Sequence, residues 1–305
     1  MRLSARMIRQ PFVKTLVKGA LRTSFKWPSL LPLPLVVLRQ AMEGGALLFR
    51  PRSEAIVEKT TLGGVSVERI SPPGRADRVL LHFHGGAFFA GSANTHRALG
   101  SELALRGTAQ VIMVDYRRAP EHPYPAALQD GLACYHALLE KGWRADQVVL
   151  GGDSGGCAHI LSLALTLRDR GLPLPAGLVM ISPYLDITLS LPSVARNARR
   201  DPMVTAHALR RGGDGYRGNI PENDPRVSPL FADLHGLPPV LVQAGSEEIL
   251  LDDALQFSER AQAAGVVVKC HIYEGLWHNF QMFNALITEA TAALDEIGRF
   301  IKTQT

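Results

Sequence analysis

From residue 54 onward, apolar and β-branched runs alternate with segments of helical periodicity, and this alternation strongly limits the possible folds. Six runs are predicted strands, at 79–83, 110–116, 147–152, 177–183, 239–245 and 266–275. The predicted helices between and after them cover about 95–106, 125–141, 157–170, 252–264 and 285–302. Because the runs are continuously apolar, their strands are expected to be buried on both faces. The pattern predicts an α/β fold with a mostly parallel central sheet flanked by helices, opened by an antiparallel hairpin at 55–72.

Composition is consistent with one large domain of this kind. The 305 residues are 46% hydrophobic and 20% charged, which is enough apolar material for a sizeable core. The three cysteines, Cys134, Cys157 and Cys270, lie far apart and form no CxxC pair. This sparse, odd set argues against a disulfide framework and a zinc cluster, and it favours a cytoplasmic location.

The net charge of +5 is concentrated at the N-terminus. Residues 1–50 hold nine basic residues against one acid, a net charge of +8, so the remaining 255 residues carry −3. The main body is therefore not basic, and we expect no nucleic-acid partner.

Three interpretations of residues 1–50 remain open. The first is a helical flap packed on the domain with its lysines solvated. The second is a weak membrane-surface contact, because basic residues recur among apolar ones between Phe12 and Leu21. The third is a targeting segment, although Lys14 and Lys18 interrupt the apolar stretch that a signal peptide needs. We favour the flap. No apolar run reaches the length of about 20 residues that spans a bilayer, so the protein is expected to be soluble.

Two segments interrupt the regular alternation of strands and helices. They are residues 1–50, broken by three prolines, and residues 184–225, which are rich in glycine, proline and charge. Inserts at the carboxyl edge of a parallel sheet usually cover the ligand crevice. We predict that both segments form one helical cap, with residues 51–305 as the catalytic domain.

Ser154 lies between a predicted strand and a predicted helix in QVVLGGDSGGCAH, residues 147–159. A Gly-x-Ser-x-Gly match alone is weak evidence, but a strand–turn–helix context is the one in which a nucleophilic serine occupies a strained turn. Neighbours without a Cβ atom allow the chain to reverse direction there. A loop that merely contains a serine would not need four glycines around it. We predict that Ser154 is a nucleophile.

A serine nucleophile needs a base, and His278 has the most suitable position among the ten histidines. It lies on the loop between the last predicted strand and the last predicted helix, whereas His271 lies within that strand and His159 within the helix after Ser154. The acid that orients the base should follow the preceding strand, where the candidates are Glu247, Glu248, Asp252 and Asp253. We favour Glu248 because it stays at the sheet edge. The two aspartates lie where the next helix begins and are expected to cap it.

The segment HFHGGAFFAGS, residues 82–92, leaves a predicted strand with two glycines whose amides are unobstructed. Gly85 and Gly86, with Gly155 after the nucleophile, are the predicted N–H donors to the negative oxygen of a tetrahedral intermediate. The alternative is a metal site on His82 and His84, which share one face of the strand. That site would need further ligands close by, and Gly-Gly-Ala follows instead, so we expect no metal.

These motifs resemble the hormone-sensitive-lipase-like family of α/β-hydrolases, the bacterial esterases with an HGGG motif. The similarity runs over residues 55–303 and includes HGGAFFAGS (84–92), DYRRAPEHPYPAALQD (115–130), GDSGG (152–156), RRDPMV (199–204) and WHNFQMF (277–283). The resemblance implies oxyanion glycines at Gly85 and Gly86, a nucleophile at Ser154, an acid at Glu248 and a base at His278. It also implies an N-terminal helical cap. This chain has glutamate where aspartate is more usual, and Ala87 in place of the third glycine.

The expected function is hydrolysis of short- to medium-chain carboxylic esters through an acyl-enzyme, without a metal or organic cofactor. Apolar residues expected near the pocket are Phe88, Phe89, Tyr184, Leu185 and Met203. The expected partner is a small-molecule ester, and a homodimer is compatible with the sequence. Two alternatives stay open: a lactone or amide hydrolase on the same three residues, and a non-catalytic receptor of this fold. A receptor is expected to lose the base, which this chain keeps.

Overall fold

The computed structural model describes residues 2–304, with side chains from residue 10 onward. Its centre is a sheet of eight strands in the order β1-β2-β4-β3-β5-β6-β7-β8. The strands are β1 (Ile56–Leu62), β2 (Val65–Ser71), β3 (Val79–Phe83), β4 (Gln110–Val114), β5 (Val148–Asp153), β6 (Gly177–Ile181), β7 (Val240–Gly245) and β8 (Val268–Tyr273). Strands β1 and β2 pair as an antiparallel hairpin, and β2 pairs antiparallel with β4. The pairs from β4 to β8 are all parallel, so the predicted α/β fold with a mostly parallel sheet is confirmed.

Helices flank both faces of this sheet. They are α1 (Arg2–Leu21), α2 (Leu35–Gly45), α3 (Ala93–Gly107), α4 (Ala126–Glu140), α5 (Gly155–Asp169), α6 (Pro192–Arg196), α7 (Ala206–Arg217), α8 (Leu251–Ala263) and α9 (Thr288–Thr303). Leucines of α4 and α5 form one buried core, and Phe257 of α8 joins it. Residues of α3 and α9, such as Leu103 and Ile297, form a second core on the opposite face. Removing these side chains from water stabilises the three-layer arrangement by about 1.5–3 kcal/mol for each large apolar residue.

The edge strand β8 differs from the prediction. We expected every apolar run to be buried on both faces, but the side chains of β8 alternate between partly buried and exposed until Tyr273. This strand pairs with β7 alone, so one of its edges has no neighbouring strand in the described chain. The strand is also shorter than the predicted run of 266–275. The apolar residues of β8 favour strand formation, but they do not indicate that both faces of this strand are buried.

The N-terminal helix α1 contacts the catalytic domain through both apolar and charged side chains. Val17 and Leu21 pack with Trp277 and Phe280. Lys14 Nζ lies 2.6 Å from Glu289 Oε1, and Lys18 Nζ lies 2.7 Å from Glu247 Oε2. The expectation that these lysines would be solvated is therefore wrong. The carboxylates they meet come from distant parts of the chain, which local periodicity does not show.

The second cap segment contacts the first. Lys26 Nζ donates to the backbone oxygens of Ala198 and Asp201, at 2.6 and 2.5 Å. Ser29 Oγ lies 3.0 Å from Thr205 Oγ1, just before α7. These contacts support treating residues 1–50 and 184–225 as one cap, a division of the chain that stays a prediction. Among the described residues, no helix is long and apolar enough to cross a membrane.

Candidate active site

Ser154 is the single residue between the end of β5 and the start of α5. Its backbone angles are φ 52° and ψ −124°, a left-handed conformation that costs a residue with a Cβ atom free energy. Three backbone hydrogen bonds hold it: its N–H donates to Ile181, and its carbonyl accepts from Cys157 and Tyr184. Helix α5 lies so close to the end of β3 that a Cβ atom at Gly156 would be 2.0 Å from the Phe83 oxygen. Only a glycine fits at this position.

His278 and Glu248 lie on neighbouring loops at the carboxyl edge of the sheet, after β8 and β7. His278 Nδ1 is 3.1 Å from Glu248 Oε2, and both side chains are buried. The second oxygen of Glu248 accepts hydrogen bonds from Ser182 Oγ at 2.7 Å and from the Gly245 N–H at 2.5 Å. With both oxygens occupied in this way, the carboxylate has a fixed orientation toward the imidazole. Among the four acids considered from the sequence, Glu248 is the one that contacts His278.

The electrostatic surroundings favour the protonated form of His278. Burial lowers the pKa of the imidazole, but the hydrogen bond and charge of Glu248 raise it more, with Asp201 and Asp153 adding to the effect. The net result is a pKa above the ordinary histidine value. A base of this kind holds a proton well once it has removed it from a hydroxyl.

The loop after β3 passes close to Ser154. A Cβ atom at Gly85 would lie 3.1 Å from Ser154 Cβ, and one at Gly155 would lie 3.2 Å from the Phe88 ring. Gly85 therefore lies beside the nucleophile, Gly155 follows it at the start of α5, and Gly86 continues the loop after Gly85. No hydrogen bond between described residues uses the N–H of Gly85 or Gly86. The first N–H of a helix, here that of Gly155, has no partner within its own helix.

Asp153 is a functional candidate that the sequence analysis did not identify, although it lies within the quoted GDSGG motif. Its carboxylate is fully buried and receives Asn279 Nδ2 at 2.7 Å. The same carboxylate lies 3.1 Å from His82 Nε2 and 3.2 Å from His96 Nε2. Since Asn279 follows His278, Asp153 connects the serine turn to the loop of the base.

Burial raises the pKa of Asp153, but the two histidines, His96 foremost, lower it more, to well below its usual range. Burial lowers the pKa of His96, while the charge and hydrogen bond of Asp153 raise it more, so that it lies above its usual value. Both shifts favour the ionised form of this buried pair, which lies behind the nucleophile.

Ser182 and Asp201 are two further residues that sequence reasoning missed. Ser182 Oγ donates to Glu248 and accepts from the N–H of Asn279 at 3.0 Å, so it links the acid loop to the base loop. Asp201 accepts from the N–H of Ile249, next to the acid. Asp201 lies in the family-like stretch RRDPMV, and Ser182 lies at the end of the predicted strand 177–183, but neither position indicates which residue the side chain contacts.

Asp252 and Asp253, which were predicted to cap the N-terminus of helix α8, make other contacts. Helix α8 begins at Leu251, and no side chain caps it. Asp252 Oδ2 instead accepts from the Ser193 N–H at 2.8 Å, and Asp253 Oδ1 accepts from Leu185 N–H at 2.7 Å. Both aspartates therefore hold the segment after β6 against α8. The helix starts one residue earlier than expected, so these carboxylates lie too far into its first turn to cap it.

The predicted pocket residues lie on both sides of the cap boundary. Phe88 stacks on Tyr216 with ring centroids 4.2 Å apart, and it also packs against Tyr184. The carbonyl of Phe89 accepts Arg39 Nε at 2.6 Å. Leu185 is fully buried in the main core, and Met203 packs against the cluster that contains Trp277. Their role as pocket lining stays a prediction.

The two histidines considered as metal ligands have other contacts. His82 binds Asp153, and His84 Nδ1 lies 2.8 Å from the Gly85 oxygen while its ring stacks on Tyr116. Within residues 2–304, no group of three or more histidine, cysteine or acidic side chains is arranged to hold a metal ion.

Comparison with known proteins agrees with this geometry. Residues 80–282 match the sequence model of a family described by its alpha/beta hydrolase fold. An esterase of Acinetobacter venetianus is 44% identical over 290 residues, which cover 95% of this chain and 94% of that protein. An acetyl-hydrolase of Streptomyces hygroscopicus is 37% identical over 245 residues, covering 80% and 82% of the two chains.

Solved structures agree as well. An esterase from the bacterial hormone-sensitive lipase family superimposes with a TM-score of 0.92 at 35% identity, over 96% of this chain and 98% of that one. A mutant of the esterase E40 gives a TM-score of 0.91 at 36% identity, over 95% and 97%. The resemblance inferred from the motifs is confirmed, and the chain belongs to the hormone-sensitive-lipase-like family of α/β-hydrolases.

Proposed function

We propose that this protein is a serine carboxylesterase that acts through Ser154, His278 and Glu248. The observation that carries the proposal is the pair His278–Glu248, buried at 3.1 Å and tied through Asn279 to the residue before Ser154. The curated relatives named as an esterase and an acetyl-hydrolase support ester bonds as the target.

In the proposed reaction, Ser154 Oγ attacks the ester carbonyl while His278 takes its proton. Glu248 stabilises the imidazolium that forms, and the N–H groups of Gly85, Gly86 and Gly155 bind the oxyanion. His278 then protonates the leaving alcohol, which leaves an acyl group on Ser154. Water, activated by the same imidazole, attacks this acyl-enzyme and releases the acid. No step needs a metal or an organic cofactor.

We propose short- to medium-chain acyl groups as substrates. Phe88 and Tyr216 stack face to face, and Phe88 approaches the first residue of α5 beside the nucleophile. Two stacked aromatic rings next to the nucleophile leave little space for a bulky acyl group. Measured turnover of p-nitrophenyl esters should therefore fall as the acyl chain becomes long.

The test is Ser154→Ala, with Ser162→Ala as a matched control two turns further along α5. Loss of the nucleophile should reduce ester turnover by several orders of magnitude, about 10³-fold or more. A fluorophosphonate should label the parent and the control on Ser154 and leave Ser154→Ala unlabelled. Near-parental activity in a folded Ser154→Ala protein would refute the mechanism.

A further inference from the structure

From residue 10 onward, where side chains are described, α1 exposes large apolar side chains on its outward face. Phe12 and Leu16, one helical turn apart, have 67% and 57% of their surfaces exposed. The neighbouring positions Val17 and Leu21 are buried against the catalytic domain. A helix on a domain surface usually has its apolar residues on the buried side and its polar residues in water. Helix α1 has apolar residues on both sides.

Helix α2 and the turn that follows it repeat this arrangement. Val36 and Val37 are exposed on the helix, and Leu47 and Leu48 follow with 81% and 84% of their surfaces in water. The charged residues of α2 have partners on the catalytic domain: Arg39 binds Glu121 and backbone oxygens, and Glu43 accepts from Asn94. The side of the helix that faces water carries the apolar residues.

The two charged side chains described on α1 are also turned inward, since Lys14 and Lys18 pair with Glu289 and Glu247. Nine of the fourteen large apolar side chains exposed in the described chain fall within residues 12–48. These nine form what we call the outer cap face: Phe12, Leu16, Trp27, Leu30, Leu31, Val36, Val37, Leu47 and Leu48. Such a concentration marks a surface that leaves water in some functional state.

Charge identifies the kind of partner. Arg22 and Arg50 belong to the same segment, and Arg199 and Arg200 lie on the surface beside the carbonyl of Ala198 that binds Lys26. None of these four arginines has an acidic partner among the described residues. Even after the ion pairs of Lys14, Lys18 and Arg39 are discounted, residues 10–50 keep a net positive charge, and Coulomb repulsion opposes the meeting of two such copies through this face. An anionic surface would attract the same segment.

We propose that the outer cap face docks on an anionic lipid surface. Its apolar side chains enter the boundary between headgroups and acyl chains, and the surrounding arginines bind lipid phosphates. Docking is shallow and reversible because no helix of the described chain is both long and apolar enough to span a bilayer. The inference concerns binding and is independent of the proposed ester hydrolysis, so Ser154→Ala should bind as the parent does.

The test uses the full chain and two kinds of vesicle, pure phosphatidylcholine and phosphatidylcholine with about 30 mol% phosphatidylglycerol. Binding is measured by flotation and by tryptophan fluorescence. Trp27 is exposed, whereas Trp143 is partly buried against the main core and Trp277 is fully buried. Docking should therefore shift the emission of the parent to the blue, and Trp27→Phe should lose this shift. The decisive variant is Leu47→Gln/Leu48→Gln. Its matched control is Leu255→Gln/Val267→Gln, which removes two exposed apolar side chains from the catalytic domain.

We expect binding to anionic vesicles, weakened in about 0.5 M salt, and a loss of affinity of roughly tenfold or more in the Leu47/Leu48 variant alone. Three results would overturn the proposal. They are no binding of the parent to anionic vesicles, equal binding to neutral ones, and an equal loss in the control variant. A dimer in sedimentation that Leu47→Gln/Leu48→Gln dissociates would assign the face to self-association instead.

Discussion

Two adjacent residues, Glu247 and Glu248, have different partners although both follow β7. Glu248 points into the site and meets His278, whereas Glu247 binds Lys18 of the cap helix α1. A turn after the strand directs successive side chains to different sides. The sequence supported a preference for Glu248, and the contact that distinguishes it from Glu247 is tertiary.

This difference predicts distinct effects of two matched substitutions. Glu248→Gln keeps the shape of the side chain but cannot stabilise an imidazolium, so turnover should fall roughly 10³–10⁴-fold, as for amide substitutions in other serine hydrolases. Since Glu248 raises the pKa of His278, the acidic limb of kcat/KM should also move to lower pH. In the parent, that limb should lie above pH 6.5.

Glu247→Gln is the control, because it breaks only the partly exposed ion pair with Lys18. Such a pair is worth about 0–1 kcal/mol, so the kinetics should change by no more than a few-fold. Steady-state pH profiles of both variants provide the measurement. An active Glu248→Gln protein with the parental acidic limb would show that another carboxylate orients His278.

Among the elements, helix α7 of the predicted cap lies directly on the loop after β3, which carries the predicted oxyanion glycines. A Cβ atom at Gly212 would be 2.0 Å from the oxygen of Ala87, so a glycine is needed for this approach. Ala87 follows Gly86, one of the predicted oxyanion donors, and itself has a φ of 48°. The position of α7 and the position of the Gly86 amide are therefore coupled.

Gly212→Ala should separate α7 from the loop and move the Gly86 amide. A displacement of about 1 Å at a catalytic group can cost up to 10²-fold, so we expect kcat/KM to fall about ten- to a hundredfold. Gly19→Ala is the control, since a Cβ atom there meets no other atom within 4 Å. Ester kinetics and thermal unfolding of both variants test the coupling. If Gly212→Ala has the kcat/KM of the parent, the loop after β3 adapts to the added methyl group without a loss of activity.

At the scale of the whole molecule, stability in acid is expected to depend on His159, which has no proposed catalytic role. His159 is buried among aromatic rings, including Phe88 and Tyr116, and neither of its ring nitrogens has a partner in the described chain. Burial lowers its pKa to about 3. Between pH 6.5, the ordinary pKa of histidine, and about pH 3, His159 is protonated in the unfolded chain but not in the folded protein. The free energy of unfolding therefore falls as the pH falls through this range.

His159→Leu should remove this acid sensitivity. At pH 4.5 the proton on the unfolded chain costs the parent roughly 3 kcal/mol of unfolding free energy relative to pH 8, a loss that the variant should lack. Urea unfolding at several pH values measures it. The exposed His122→Leu is the control and should keep the parental pH dependence. If His159→Leu loses as much unfolding free energy at pH 4.5 as the parent does, other groups cause the effect.

The sequence by itself determined the sheet, the strand–turn–helix around Ser154 and the loop of His278. These features depend on local signals: apolar runs, glycines that permit a tight turn, and the order of strands and helices. In a parallel sheet the carboxyl ends of all strands lie at the same edge, so the residues after β5, β7 and β8 could be named as candidates before any contact was known.

Only the tertiary structure decided which distant groups meet. The contacts of Asp153 with His96 and Asn279, and of Lys18 with Glu247, join residues from 57 to more than 200 positions apart. The aspartates expected to cap α8 hold another segment instead. Buried charges take their partners from whatever the packing brings near, because leaving them unpaired in the interior costs more than any local preference provides. Periodicity along the chain carries no information about that choice.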